Sequence, residues 1–512
     1  MTETLASPKL TGMPPEIEEL SEESLSKGVV ANPRRCAFLV FLFFSFFYLM
    51  TSSGRIRTMD EYMTFFETEN LVLHQSASVP QALQLNYFYG KYGIHGEPRS
   101  PYSPGQPIFA TPWYAAGHFL FLRLPGVPAQ ASSLILAASA CFSSAFAAGA
   151  IVSFLFLIAN ALGLSLRQSF LTAAIVGFAT PVFAYSSWFY SEPLTTALLV
   201  AAAYFVFARH LGELVPVRSA MMGGALIGCA VFIRPVHVPV AVVFFIAILL
   251  RDRSKGFASA VAIASISAMG LGALLLYNFH CFGHFLDFGY PAIAEGNKRL
   301  NDFSAPVHAS LYGFLLSPGK SVFLFAPPML LALFGVPKLW QKDRGLAAVG
   351  VGAFLAYLAF FARYTQWEGG YCVGPRYMVP ALALLCIALA PIIGALNLRT
   401  RIAAIVLTIF GFLVQIVSIA TSFMESQVPP GVYYDSNWNY VLRYSLWSQV
   451  RVLLHHLSDP TPARLGLGWD RWFVFLAKGG VSHATLFAVF CAILLGAIAS
   501  GLSLRKTLIN SA

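Results

Sequence analysis

Long apolar stretches recur along this chain, and they limit its possible folds more than any other feature. An apolar stretch of roughly 17–25 residues can cross a bilayer as a helix. Soluble domains carry roughly 25% charged residues, whereas only 11% of the residues are charged here. The sequence therefore predicts an all-α polytopic membrane protein. The predicted spans lie near residues 36–53, 131–158, 169–187, 192–208, 219–234, 236–250, 258–280, 321–336, 345–363, 377–396, 402–421 and 481–503.

Basic residues fall mostly in short loops between the apolar stretches, where they orient the spans. The chain has a net charge of +10, but this distribution argues against nucleic acid as a partner. With twelve spans every basic cluster lies on the cytoplasmic side. If the apolar piece 107–122 crossed the bilayer, every later loop would move to the other side. We therefore expect it to be re-entrant or interfacial; a thirteenth span is the alternative. The expected location is the inner (plasma) membrane, with the N-terminus in the cytoplasm.

This topology divides the chain into three parts. Residues 1–33 are polar and acidic and read as a disordered cytosolic tail. Residues 34–336 form a transmembrane module with external loops 54–130 and 281–320, and residues 337–512 add C-terminal helices with an external segment, 422–480. External loops of this length are usually functional or disordered, and their aromatic content argues against disorder.

Asp60 and Glu61 stand just after the first span, where bilayer meets water. Residues 60–73 have helical spacing, with Met63, Phe65 and other apolar residues predicted to face lipid. One interpretation is that the two acids stabilise the start of this helix through its dipole. The other is a general base, because a carboxylate beside lipid has a raised proton affinity and can take a proton from an acceptor.

Glu192 is a second acid predicted at the external face, at the start of a span and followed by Pro193. Ser191 is a candidate N-cap and Pro at the first helical position is ordinary, so a structural role is open. A carboxylate at this depth is costly and tends to be functional. Two acids from distant parts of the chain on one face form a stronger signal than either alone.

Several cations remain on the external side, against the positive-inside rule. Snorkelling of the side chain to lipid headgroups is one explanation. The other is a phosphate site, for which arginine offers a bidentate fork, with Gly369, Gly370 and Gly374 letting the backbone approach the anion. The candidate phosphate-binding residues are Arg99, Arg234, Lys320 and Arg376.

Aromatic residues in the external segments are candidates for a substrate pocket, although interfacial anchoring explains such residues equally well. The candidates are Tyr62, Tyr102, Tyr190, Tyr290, Trp367 and Tyr377. The histidines have no ligand spacing, so a metal site built by the protein is not expected. A divalent cation (Mg²⁺ or Mn²⁺) bridging Asp60 or Glu192 to a phosphate stays open.

Together these features resemble the GT-C superfamily of polytopic glycosyltransferases. The resemblance rests on the acid pair after the first span, the Pro104-Gly105 turn before an apolar piece, and a second acid at a later external helix start. The run from Met59 to Leu71 looks like the first external loop of the bacterial protein mannosyltransferase and aminoarabinose transferase branch. The likeness covers roughly residues 36–380. Glu192 stands in Ser-Glu-Pro rather than in an Asp-x-Asp pair, which puts strong metal dependence in doubt.

The resemblance implies an enzyme that moves a sugar from a polyprenyl-phosphate donor to an extracytoplasmic acceptor, with inversion. The acceptor would be a glycan, a lipid or a protein. Asp60, with Glu61 as its neighbour, would be the catalytic acid pair, and Glu192 would orient a substrate. The main alternative is a transporter or a flippase for lipid-linked sugars, but such proteins place charges near the bilayer midplane and often show repeats. A non-catalytic scaffold with the same fold is the third reading.

Overall fold

The computed structural model describes residues 32–85, 87–290, 303–426, 445–458 and 469–509. The predicted tail lies almost wholly outside this range, as do parts of the external segments 281–320 and 422–480. The described chain is all-α apart from one small antiparallel hairpin, β1 (Lys91–Tyr92) and β2 (Pro98–Arg99). The helices are α1 Pro33–Thr51, α2 Met59–His74, α3 Gly105–Phe119, α4 Ser132–Ala161, α5 Leu166–Ala179, α6 Pro181–Tyr185, α7 Glu192–Val206, α8 Val217–Ile233, α9 Val238–Asp252, α10 Phe257–Phe282, α11 Val307–Leu316, α12 Val322–Phe325, α13 Met329–Lys342, α14 Arg344–Arg363, α15 Val379–Leu385, α16 Ala390–Ile393, α17 Leu398–Ala420, α18 Leu446–Ser458, α19 Trp472–Lys478 and α20 His483–Ile509.

The helices confirm an all-α polytopic membrane protein. Within the described ranges, eight helical stretches are long and apolar enough to cross a bilayer, and one of them, Pro235–Phe282, contains both α9 and α10. The remaining predicted spans correspond to shorter helices or to interrupted ones. The predicted span 169–187 is divided at Pro181, where α5 gives way to α6, because proline lacks the amide proton that would continue the hydrogen-bond ladder.

Most of the apolar piece 107–122 lies in α3, which ends at Phe119, is 15 residues long and is not among the eight stretches. Helix α3 packs against α2 and against the N-terminal part of α4. The predicted helix over residues 60–73 is confirmed as α2. Its apolar stripe was expected to face lipid, and that expectation is wrong: Met63 and Phe65 are buried in the protein, because α3 and the segment around Val79 cover this side.

The basic loops meet at one end of the bundle. Arg167 Nε donates to the Leu508 carbonyl at 3.0 Å, and Lys342 Nζ donates to the Leu162 carbonyl at 2.9 Å. Arg251 donates to the carbonyl of Phe207, which caps the C-terminus of α7. Glu192 begins the same helix and therefore lies at the opposite end of the bundle, with the loops that the sequence predicts to be external.

Candidate functional site: a charged centre on an aromatic cavity

A cavity of about 1100 Å³ opens at the end of the bundle opposite the basic loops. Pockets for drug-sized ligands usually measure about 300–1,000 Å³, so this one accommodates a large substrate or two smaller ones. Asp60, Arg234, Arg376 and Glu368 supply charge to its wall. Its apolar and aromatic lining includes Leu274, Phe282, Phe288, Phe303, Phe360 and Phe361. The cavity therefore has both a charged region and an extended apolar wall.

Arg376 is the centre of the charged region. Its Nη1 donates to Asp60 Oδ2 at 2.8 Å, and its Nε donates to Glu192 Oε1 at 2.8 Å. Arg234 Nη1 reaches the same Glu192 oxygen at 3.3 Å. The structure thus brings together two acids and two arginines from four distant parts of the chain. Arg376 and Glu192 are almost fully buried, whereas 26% of the Asp60 side chain is exposed.

The two guanidinium groups are held close by one carboxylate. Two like charges repel, and the repulsion is strong where burial lowers the effective dielectric constant. Glu192 offsets this repulsion because both arginines bind its Oε1. The Tyr190 ring supports the arrangement from below, with the Arg376 guanidinium carbon 3.9 Å from the ring centre, a cation–π contact. Glu192 therefore holds the two arginines together by pairing with both.

Asp60 is held in its ionised form. Burial alone would raise the pKa of its carboxyl group, but the charges of Arg376 and Arg234 and a hydrogen bond from Tyr102 outweigh burial and bring the pKa below its ordinary value. The Tyr102 hydroxyl donates to Asp60 Oδ1 at 2.5 Å. This is opposite to the raised proton affinity expected from the sequence. That expectation considered lipid alone and could not include a cation from residue 376.

The loop between α14 and Arg376 gives the arginine its position. Gly369 and Gly370 adopt positive φ angles of 84° and 67°, which glycine accepts without a steric penalty. The turn points the Gly369 carbonyl toward the arginine, where it accepts from Nη1 at 3.3 Å. The predicted role of these glycines was close approach to an anion. In the structure they shape the backbone that holds the Arg376 side chain.

Glu61 points away from the cavity, although it is the neighbour of Asp60. Its Oε2 accepts from the amides of Arg57 and Thr58 at 2.9 and 3.0 Å, and its Oε1 accepts from the amide of Phe189 at 3.2 Å. With the Thr58 hydroxyl it forms a capping box at the start of α2. Successive helical residues point about 100° apart, so the two acids face different surroundings. Glu61 supports the site by joining α2 to the segment before α7.

Two predicted phosphate-binding residues lie outside the cavity lining that the structure describes. Arg99 pairs with Glu97 at 2.7 Å beside the hairpin. Lys320 is fully buried, and its Nζ donates to the Cys372 carbonyl at 2.9 Å and to Cys372 Sγ at 3.2 Å. Lys320 therefore anchors the loop that carries Arg376. Both cations already have partners within the protein.

The predicted aromatic residues divide in the same way. Tyr102, Tyr290 and Tyr377 line the large cavity, and Tyr190 lies beneath Arg376. Tyr62 packs on Phe66 at a centroid distance of 5.7 Å. Trp367 is buried against Phe314. Neither Tyr62 nor Trp367 is in the described lining of the cavity.

Glu368 is a cavity residue to which the sequence assigned no role. Burial raises the pKa of its carboxyl group to about 7, and the nearby charge of Lys320 only partly opposes this. A carboxyl group that titrates near neutral pH in a cavity is a candidate functional group. Its position between a tryptophan and two glycines in an external loop was the available signal, but charge alone does not show whether such a side chain faces a cavity.

A divalent cation at this centre would lie close to two positive charges. Arg376 binds one oxygen of Asp60 and one oxygen of Glu192, and Arg234 binds the same Glu192 oxygen. A guanidinium group bound to the same oxygens repels a second cation. Across the described ranges, no group of three or more histidine, cysteine or acidic side chains is arranged to hold a metal.

Comparison with known proteins gives structural neighbours only. Neither a protein-family model nor a curated protein sequence matches the chain. The fold is similar to ArnT from Cupriavidus metallidurans bound to undecaprenyl phosphate, with a TM-score of 0.45 and 14% identity over 93% of this chain and 75% of that one. It is also similar to apo ArnT, with a TM-score of 0.44 and 14% identity over 96% and 77%. ArnT is a GT-C glycosyltransferase; a likeness at this level concerns the overall path of the chain and assigns no role to any residue.

Proposed function

We propose that this protein is a membrane glycosyltransferase that moves a sugar from a polyprenyl-phosphate donor to an acceptor on the extracytoplasmic side, with inversion. The observation that carries the proposal is Arg376, which is bound by Asp60 and Glu192 at the wall of a large cavity. The arginine pair suits an anionic phosphate, and the aromatic wall suits the isoprenoid chain and the sugar. The acceptor class stays open among glycans, lipids and proteins.

Arg376 and Arg234 would bind the phosphate that leaves during transfer. Negative charge collects on this phosphate as its bond to the sugar breaks, and positioned cations stabilise such charge without reorganising. Removing one such donor typically lowers the rate by roughly 10²–10³-fold. By pairing with both arginines, Glu192 would fix the distance between them before the substrate binds.

Asp60 would bind the acceptor and take its proton. A lone pair of the acceptor oxygen or nitrogen attacks the anomeric carbon, the bond from that carbon to the phosphate oxygen breaks, and the electron pair leaves with the phosphate. The acceptor becomes strongly acidic as its new bond forms, so a carboxylate of low pKa suffices for proton transfer late in the step. Attack from the side opposite the phosphate inverts the anomeric configuration.

The test uses purified protein in detergent, supplied with a membrane lipid extract. Mass spectrometry should show a polyprenyl-phosphate sugar disappearing and polyprenyl phosphate appearing, and Asp60→Asn should prevent this change. A transporter would leave the lipid unchanged because no second compartment exists. Unchanged lipid in the presence of an acceptor-containing membrane extract would contradict the proposal.

A further inference from the structure

A second, small cavity borders the arginine centre. Its volume is about 10 Å³, and it shares Asp60, Tyr102, Arg234 and Arg376 with the large cavity. A chamber needs roughly 10–15 Å³ and two to four polar partners to hold one water molecule. The small cavity therefore has room for a single water-sized group.

Three buried polar atoms belong to residues that line this chamber. They are Arg376 Nη2, Gln106 Oε1 and Ser191 Oγ, and none of them has a hydrogen-bond partner among the described residues. A buried polar atom without a partner is costly, and in native proteins it usually indicates an ordered water or ion. Because all three residues line the same chamber, one shared ligand is the simplest way to satisfy the three atoms.

The chemistry of the three atoms selects a neutral ligand. Arg376 Nη2 can only donate and Gln106 Oε1 can only accept, while the Ser191 hydroxyl can do both. An anion would suit the arginine but not the glutamine oxygen, and a metal cation would be repelled by the arginine. Water both donates and accepts, so it satisfies all three atoms.

The orientation of Gln106 and Ser191 supports this assignment. Gln106 Nε2 donates to the Tyr190 carbonyl at 3.5 Å, which leaves Oε1 as the free end of the amide. Ser191 directly precedes α7, and the sequence suggested an N-cap, but its side chain makes no capping hydrogen bond. Its hydroxyl is therefore available to the chamber.

We propose that a single buried water bridges Arg376 Nη2 to Gln106 and Ser191, and that these two side chains are positioning residues for Arg376. Arg376 would then be fixed on its Nε and Nη1 side by Glu192, Asp60 and Gly369, and on its Nη2 side by the water. The existence of the water does not depend on the proposed function. Its effect on ligand binding does, because that effect requires a phosphate at Arg376.

The first test is an experimental map of the wild-type protein at about 2 Å resolution or better, a resolution at which ordered waters are visible. We expect one peak within hydrogen-bond distance of the three atoms. A well-resolved map with no peak there would overturn the proposal.

The second test is a double-mutant cycle of Gln106→Met and Ser191→Ala, read by the affinity for sugar-free polyprenyl phosphate and by the thermal midpoint. Each variant should lower the affinity for polyprenyl phosphate roughly three- to tenfold, which corresponds to the net contribution of one hydrogen bond. Both residues act through one water. The affinity of the double variant for polyprenyl phosphate should therefore be only slightly lower than that of the single variant that binds more weakly. Additive losses would show two independent contacts and contradict the bridge.

Ser143→Ala is the matched control, because its buried hydroxyl donates to the Ala140 carbonyl of its own helix and should not affect the probe. If wild-type protein does not bind polyprenyl phosphate, the proposed function fails. The thermal cycle and the map would still test the water.

Discussion

The two ends of the helical bundle each contain a buried cluster of arginine and acid, and only one is suited to bind a ligand. At the basic end, Arg251 Nε pairs with Asp343 Oδ2 at 3.1 Å and lies 3.7 Å from Asp252 Oδ1. At the cavity end, Arg376 pairs with Asp60 and Glu192. Arg376 and Glu192 are as buried and as closely paired as Arg251 and Asp343, so neither property alone identifies a site.

The difference lies in what the remaining polar atoms do. Arg251 also donates to the carbonyls of Phe207, His210 and Glu213. Asp343 caps α14 through the amide of Leu346, and Asp252 accepts from the amide of Val215. The side chains of this cluster thus stabilise the surrounding backbone through hydrogen bonds.

At the cavity end, Arg376 Nη2 and Glu192 Oε2 have no partner within the described chain, and Arg376 borders the cavity. Charged side chains at the wall of a cavity, which include Asp60, Arg234 and Arg376, therefore distinguish the candidate site from the structural cluster. Matched variants of the two clusters should therefore differ in ligand binding.

The largest contrast is expected between Arg376→Lys and Arg251→Lys. Lysine keeps the charge but loses the planar fork, so Arg376→Lys should weaken polyprenyl phosphate binding and slow transfer by about 10²-fold or more. Arg251→Lys should lower the thermal midpoint and leave probe affinity unchanged. Equal affinity of the two variants for polyprenyl phosphate would contradict a ligand-binding role that is specific to the Arg376 cluster.

Asp60→Asn and Asp343→Asn form the next pair. Loss of the base should slow transfer by about 10²–10⁴-fold, while polyprenyl phosphate still binds. Asp343→Asn should retain activity, because asparagine also caps helices. Burial opposes the shift, but the charges of Arg376 and Arg234 bring the pKa of Asp60 below its ordinary value, so its carboxyl group should stay ionised through the neutral and mildly acidic range. An activity limb near pH 6 that disappears in Asp60→Asn would contradict this assignment.

Glu61→Gln should act on stability rather than on chemistry. The Glu61 carboxylate accepts from three backbone amides, and a glutamine keeps only one accepting oxygen. We expect a loss of about 1–3 kcal/mol in the free energy of unfolding, measured by chemical denaturation, with the turnover per folded molecule nearly unchanged. A selective loss of turnover would place Glu61 in the reaction.

The smallest effect is expected from Glu368→Gln. The folded pKa of Glu368 is about 7, so its carboxyl group is neutral below that pH and becomes an anion above it. Polyprenyl phosphate should bind the wild-type protein a few-fold more tightly at pH 6 than at pH 8 because of charge repulsion. The glutamine variant should retain only the pH dependence of the phosphate itself. An identical pH profile in the two proteins would exclude this linkage.

Spans and helices could be predicted from the sequence because hydrophobic length and helical spacing are local properties. The convergence of Asp60, Glu192, Arg234 and Arg376 was also predictable in outline, since topology placed all four at one end. Asp60 and Glu61 could not be told apart, because a rotation of about 100° between neighbouring residues matters only once the packing of α2 is known. Lys320 and Arg99 could not be distinguished from Arg376 either, because their partners, Cys372 and Glu97, are known only from the packing.

The role of Arg376 is tested most directly by the lipid that co-purifies with the wild-type protein and with Arg376→Lys, identified by mass spectrometry. Arg251→Lys serves as the control. We expect a polyprenyl-phosphate sugar in the wild-type and Arg251→Lys preparations and its depletion from Arg376→Lys. Equal amounts of this lipid in all three preparations, or none in the wild type, would contradict the role of Arg376 as the phosphate-binding centre.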